Sequence, residues 1–177
     1  MPSGALTIKV TDKPGPEVDR ANPWSAALRI LTRRDYSQSE LRQRLLDKGF
    51  DQEHIEETLQ RCLDLGYLDD DRYALNRATG LLTQGRAVGP RILADLRRHG
   101  ISEEVACRAL EQALEGCDEN QLLRSLLERR FPNFNYGTSP VKERRRVVHF
   151  LQRRGFSLSR IMDQLTRKGF ATHDEDR

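Results

Sequence analysis

The sequence predicts an all-α fold: an elongated array of three tandem three-helix repeats, with units at residues 23–69, 70–116 and 117–170. Three observations carry this. Segments beginning at Leu41 (LRQRLLDKGFDQEHIEETL), Ile92 (ILADLRRHGISEEVACRAL) and Val147 (VVHFLQRRGFSLSRIMDQL) align without gaps, at periods of 51 and 55 residues, the mark of a repeat architecture. No run of alternating β-branched residues suggests a strand. The composition, 37% hydrophobic and 32% charged with a mean hydropathy of −0.72, suits thin stacked units better than one deep globule.

Each element follows in order. Residues 1–22 hold Pro2, Pro14, Pro16, Gly4 and Gly15 without helical periodicity, and are expected to form a flexible leader. No continuous apolar run marks a secretory signal there, because Lys9, Asp12 and Lys13 interrupt it. Each unit opens with a helix, expected over 24–34, 71–84 and 119–130. The aligned segment then supplies the other two. Leu41 and Leu45, like Ile92 and Leu96 or Val147 and Leu151, are i,i+4 pairs on one helix face. Gly49, Gly100 and Gly155 follow, where a left-handed turn is cheap for glycine alone. Phe50, Ile101 and Phe156 fold back into the core, and Asp51, Ser102 and Ser157 cap the next helix. Ile55 and Leu59 and their counterparts then restart the apolar face. The third unit has a longer connection, 132–140, rich in Asn, Gly and Pro. Residues 171–177 form a short acidic tail, expected to be flexible.

Charge is unevenly spread. Between Ser39 and Arg72, ten acidic residues face five basic ones, a balance of −5; between Lys142 and Gly169, nine basic residues face two acidic ones, a balance of +7. Lys142, Arg146, His149 and Arg153 fall at i, i+4, i+7 and i+11, one stripe on a helix. Such a stripe follows a phosphate backbone or an acidic protein groove. The candidate contact residues are Lys142, Arg145, Arg146, Arg153 and Arg154, then Arg86, Arg91, Arg97 and Arg98 of the middle unit. Tyr36 and Tyr67 read as packing residues. With aromatic residues at 6%, no base-stacking platform is evident.

Several chemistries find no support. The sequence has no phosphate-binding GxxxxGK[ST] loop and no GxSxG elbow. Cys62, Cys107 and Cys117 show no metal-ligand spacing and read as reduced thiols of a cytoplasmic protein. Asp69, Asp70 and Asp71 precede a helix, where capping and the helix dipole explain them. No run approaches the ~20 apolar residues of a membrane span. The reading is therefore a non-enzymatic binding protein without cofactor or metal. It is expected to be a monomer, for lack of an exposed heptad seam. Helix pairs joined by glycine turns also describe a stand-alone helix-turn-helix DNA-binding protein, the alternative; the acidic first unit speaks against it.

The residues SQSELRQRLLDKGF and GYLDDDRYA of the first unit, GRAVGPRILADLRRHGI of the second and HFLQRRGFSLSRI of the third resemble the RecX regulatory family, in order and across residues 24–170. The sequence departs from the family pattern at Asp69, where Asn is common, and in its longer connection before the third unit. The resemblance implies an array of three-helix repeats that binds the RecA recombinase filament on single-stranded DNA. There it would limit filament growth, ATP hydrolysis and strand exchange, in the cytoplasm and with no cofactor. It also implies that DNA phosphates are a second partner in some members.

Overall fold

The structure, a computed structural model, describes the backbone of residues 22–170 and the side chains of residues 22–166. The expected leader, apart from Asn22, and the expected tail lie outside the described residues. Within them are nine helices and no strand: α1 Pro23–Leu31, α2 Gln38–Leu46, α3 Gln52–Asp64, α4 Asp70–Thr83, α5 Pro90–Arg98, α6 Glu103–Leu114, α7 Glu119–Arg130, α8 Val141–Arg154 and α9 Leu158–Phe170. The all-α repeat array is thus what the chain forms.

The helix starts follow from their caps. Side-chain oxygens of Asn22, Ser37, Asp51, Asp69, Ser102 and Asp118 accept the first free backbone N–H groups of α1, α2, α3, α4, α6 and α7. At Ser37 the arrangement is reciprocal, because Glu40 accepts the Ser37 N–H in return. Helix α1 stops at Leu31, earlier than the sequence suggests. Thr32 turns its hydroxyl back onto the Arg29 carbonyl (3.0 Å), and the chain then leaves the helix for the Ser37 cap. The three glycine turns have the expected left-handed backbone, with φ of 86°, 77° and 105° at Gly49, Gly100 and Gly155.

The buried residues fall into two clusters for three units. Ala26, Ala27, Leu41, Leu45, Ile55, Leu59, Cys62 and Leu68 make a core private to α1–α3. A second core runs without interruption from Tyr73 on α4 to Leu165 on α9, through Ile92, Leu96, Leu123, Val147 and Leu151. A single three-helix unit buries little apolar surface, so fusing two cores keeps more of it from water.

Both joints between units use one geometry. The residue before the glycine turn of a unit offers its carbonyl to the start of the middle helix of the preceding unit. At the first joint the Ser37 hydroxyl, 0% exposed, donates to the His99 carbonyl at 2.5 Å. Beside it the Gln38 N–H donates to Asp70 Oδ1 (2.9 Å) and the Tyr73 and His99 rings pack at 6.2 Å. At the second joint the equivalent residues are Val88 and Arg154, and the Val88 backbone N–H donates to the Arg154 carbonyl at 2.7 Å. The Arg154 guanidinium also donates to the Gly85 carbonyl (3.0 Å), and Arg129 donates to that of Gln84 (3.2 Å). The corresponding place on the third unit is Glu143. Because α8 starts about one turn earlier than α2 and α5 in the aligned repeats, Glu143 is already helical, its N–H bonded to the Pro140 carbonyl (2.9 Å).

Candidate interaction surface

Helix α8 presents a group of cations that pair with no acid among the described residues. Val147 and Leu151 seat it on the core at 0% exposure. On a 3.6-residue period this turns Lys142, Arg146, His149 and Arg153 to the opposite side, and all four are exposed, as is Arg145. Lys142, Arg145, Arg146 and Arg153 form no ion pair with any described residue, so their charge is available to a partner.

Beside this stripe lies an apolar groove between α8, α9 and the connection before α8, about 540 Å³ in volume. Val141 and Leu158, 54% and 52% exposed, stand at its edges, with Val148, Met162 and Tyr136 along its walls and Arg144, Arg145 and His149 at its rim. The long connection is what shapes it. Asn135 accepts the Gly137 N–H at 2.8 Å, closing a turn, and Phe131 packs edge-on against Phe150 at 5.3 Å. That places Tyr136 under the Arg144 guanidinium (5.5 Å). Exposed apolar groups ringed by cations make a surface fitted to a protein partner.

The other candidate residues divide. Arg154 belongs to the second joint, with its guanidinium also over the Phe150 ring (5.0 Å). Its guanidinium therefore has partners within the fold, unlike those of Arg145, Arg146 and Arg153. Arg97 is held by Glu103 and Arg98 by Asp95 (2.8 Å). Asp95, itself buried, also binds Arg77, and its backbone carbonyl accepts from the His99 ring at 2.7 Å. Arg86 and Arg91 are exposed and form no ion pair among the described residues; the Arg91 stem runs past Gly155. Sequence reasoning missed Val141 and Leu158. The available signal was an apolar residue at the first position of each of the last two helices, which the described residues leave about half exposed.

The acidic triple is accounted for residue by residue. Asp69 caps α4, Asp70 accepts from Gln38 across the first joint, and Asp71 pairs with Arg108 (2.8 Å). Among the described residues no group of three or more His, Cys, Asp or Glu side chains is gathered as metal ligands, and no helix is long and apolar enough to cross a membrane. The Cys62 thiol is buried, which pushes its pKa up and keeps it from thiolate chemistry.

Comparison with known proteins bears on these features. Residues 24–62 match the family model described as RecX, first three-helix domain, and residues 118–163 that of RecX, third three-helix domain. The chain is 46% identical over 138 residues to the regulatory protein RecX of Syntrophotalea carbinolica, covering 78% of this chain and 90% of that one. It is 37% identical over 145 residues to the regulatory protein RecX of Trichlorobacter lovleyi, covering 82% and 94%. Its fold matches the crystal structure of RecX from Lactobacillus salivarius with a TM-score of 0.63 at 19% identity, over 86% of this chain and 97% of that one.

Proposed function

Since the chain belongs to the RecX family of regulatory proteins, we propose that it is a monomeric, non-enzymatic, cytoplasmic negative regulator of RecA. It binds the RecA filament on single-stranded DNA and limits its growth, ATP hydrolysis and strand exchange. The observation that carries this is the α8 surface: an apolar groove flanked by Val141 and Leu158, with the unpaired cations Lys142, Arg145, Arg146 and Arg153 alongside. The apolar groups supply a desolvated centre, and the cations supply orientation and fast encounter with an acidic partner. Arg86 and Arg91 extend the contact on the middle unit.

The test is single-stranded-DNA-dependent ATP hydrolysis by the host RecA, titrated with this protein well below one per recombinase subunit. The parent is expected to inhibit, and adding DNA should not relieve it. The variant Arg145→Glu, Arg146→Glu, Arg153→Glu is expected to lose about 100-fold in potency, since three reversed charges meet an acidic surface, with unchanged helical circular dichroism. Equal inhibition by parent and folded variant would sink the assignment. Inhibition that vanishes with excess DNA, together with sequence-selective binding to DNA alone, would favour the stand-alone DNA-binding alternative.

A further inference from the structure

The groove beside α8 has a shape that selects what can enter it. Its wall on α8 is made of Val141, Arg144, Arg145, Val148, His149 and Gln152. These positions recur at i, i+3, i+4, i+7, i+8 and i+11, one face of a helix. At the helical rise per residue the wall runs about 16 Å, or about three turns. The facing wall holds Leu158 and Met162, i and i+4 on α9. The backbone of these walls is already spent: between Arg144 and Gln152 the N–H and C=O groups are used up by α8 itself, as are those of Met162 by α9. An extended segment lying here would bury its own N–H and C=O groups against mostly apolar side chains, without partners. A helix satisfies its backbone internally and offers the groove only side chains.

Charge narrows the occupant further. Arg144, Arg145 and His149 stand on the rim, and the Arg144 guanidinium is positioned by the Tyr136 ring. Helices α8 and α9 carry one acid each, Glu143 and Asp163, and neither lines the groove. Glu143 is two residues from both Val141 and Arg145, on the far side of α8. The segments outside the described residues match the groove poorly. Residues 171–177 are acidic but contain no apolar residue larger than alanine, and residues 1–21 carry three acids against three bases. The fitting occupant is therefore a segment of another protein that is helical, apolar on one side and acidic beside it.

We propose that the groove receives an acidic amphipathic helix of about three turns from a protein partner. Its apolar stripe lies between α8 and α9, against Val141, Val148, Leu158 and Met162, and its carboxylates accept from the guanidiniums of Arg144 and Arg145. This rests on the α8 surface being the partner contact, and it adds the form of the segment that the partner brings.

The experiment is fluorescence anisotropy of a labelled glutamate-rich peptide of about four turns, with leucine at i, i+4, i+7 and i+11, titrated with the full chain. A scrambled peptide of the same composition, whose leucines go round the helix, is expected to bind about tenfold more weakly. The variant Val141→Ser, Leu158→Ser, which changes two residues already half exposed, is expected to lose about tenfold for the amphipathic peptide, with unchanged helical circular dichroism. The comparison of the two peptides needs no variant. Equal binding of both would overturn the proposal, because charge alone would then suffice. Equal binding of a version interrupted by proline would overturn it too, since an extended segment would then fit. Dissociation of a parent dimer by the peptide in light scattering would give the groove to a second copy instead.

Saturating peptide is also expected to relieve inhibition in the ATP-hydrolysis assay. Groove-dependent peptide binding without relief would remove the recombinase from this groove and leave the helix assignment standing. No peptide binding, with inhibition still lost in the variant Arg145→Glu, Arg146→Glu, Arg153→Glu, would refute the helix and spare the recombinase reading.

Discussion

The two joints share a shape and differ in material. In each, the carbonyl ahead of a glycine turn meets the start of the middle helix of the preceding unit. The first is closed by a side chain, the Ser37 hydroxyl, and surrounded by the polar groups Glu40, Asp70, Asp95 and His99. The second is closed by backbone, Val88 to Arg154, and lies over a core continuous from α4 to α9. The comparison teaches that glycine sets where units meet, while the residue at the Ser37 or Val88 position sets how firmly. The first unit is a module with its own core, hung on by polar bonds. The second and third are one body.

Substitution should separate these roles. Gly155→Ala is expected to be the most damaging change. Its Cβ would fall 2.1 Å from the Val88 carbonyl oxygen, a backbone atom, at a φ of 105°. A loss of about 3 kcal/mol or more is expected in urea unfolding, spread over both units because they share a core. Gly100→Ala puts a Cβ 2.2 Å from that of Ser39 at a φ of 77°. It should cost about 2 kcal/mol and act locally, enlarging the radius of gyration by small-angle scattering while the larger core melts as before. Equal global destabilisation by both glycine changes would contradict the difference drawn between the joints. Ser37→Ala removes a helix cap and the joint bond together, for about 1 kcal/mol. Faster proteolysis between α3 and α4, with α4–α9 still protected, is the outcome to look for.

Acid gives the smallest effect. Burial pushes the Glu40 carboxyl up, but hydrogen bonds led by the Arg34 guanidinium outweigh it and hold it below its ordinary value. Asp95 is likewise buried yet held low by Arg77 and Arg98. A depressed carboxylate stabilises the folded state above its unfolded pKa, and that contribution is lost as pH falls through the folded one. Asp70 works the other way: burial raises it, so its protonation relieves a cost. With two groups against one, the first joint should loosen slightly below about pH 4, by under ~1 kcal/mol. The second, whose inter-unit bonds end on carbonyls, should not. Scattering profiles over that pH range check this.

The local features were legible because each is decided by a few neighbouring residues. The glycine turns and the caps at Asp51, Ser102 and Ser157 could be read from spacing alone, and the structure has them. The part Arg154 takes in the second joint could not be read, since its partners there, Gly85 and Val88, lie far back in the chain and are backbone groups without a side-chain signature. Nor could the fused core, because three aligned apolar patterns look the same whether their units share a core or not.

The early start of α8 has a consequence for assembly. A protein built from identical couplings invites copies to thread end to end into open fibres, as any non-closing contact does. Here the turn at Gly49 has no described residue within 4 Å of the position a Cβ would take, so this turn, unlike those at Gly100 and Gly155, plugs no described unit. The matching seat at the other end is filled by the first turn of α8, where Glu143 has already given its N–H to Pro140. The coupling that joins the units inside one molecule therefore meets, at the third unit, a seat that the chain's own helix has already taken.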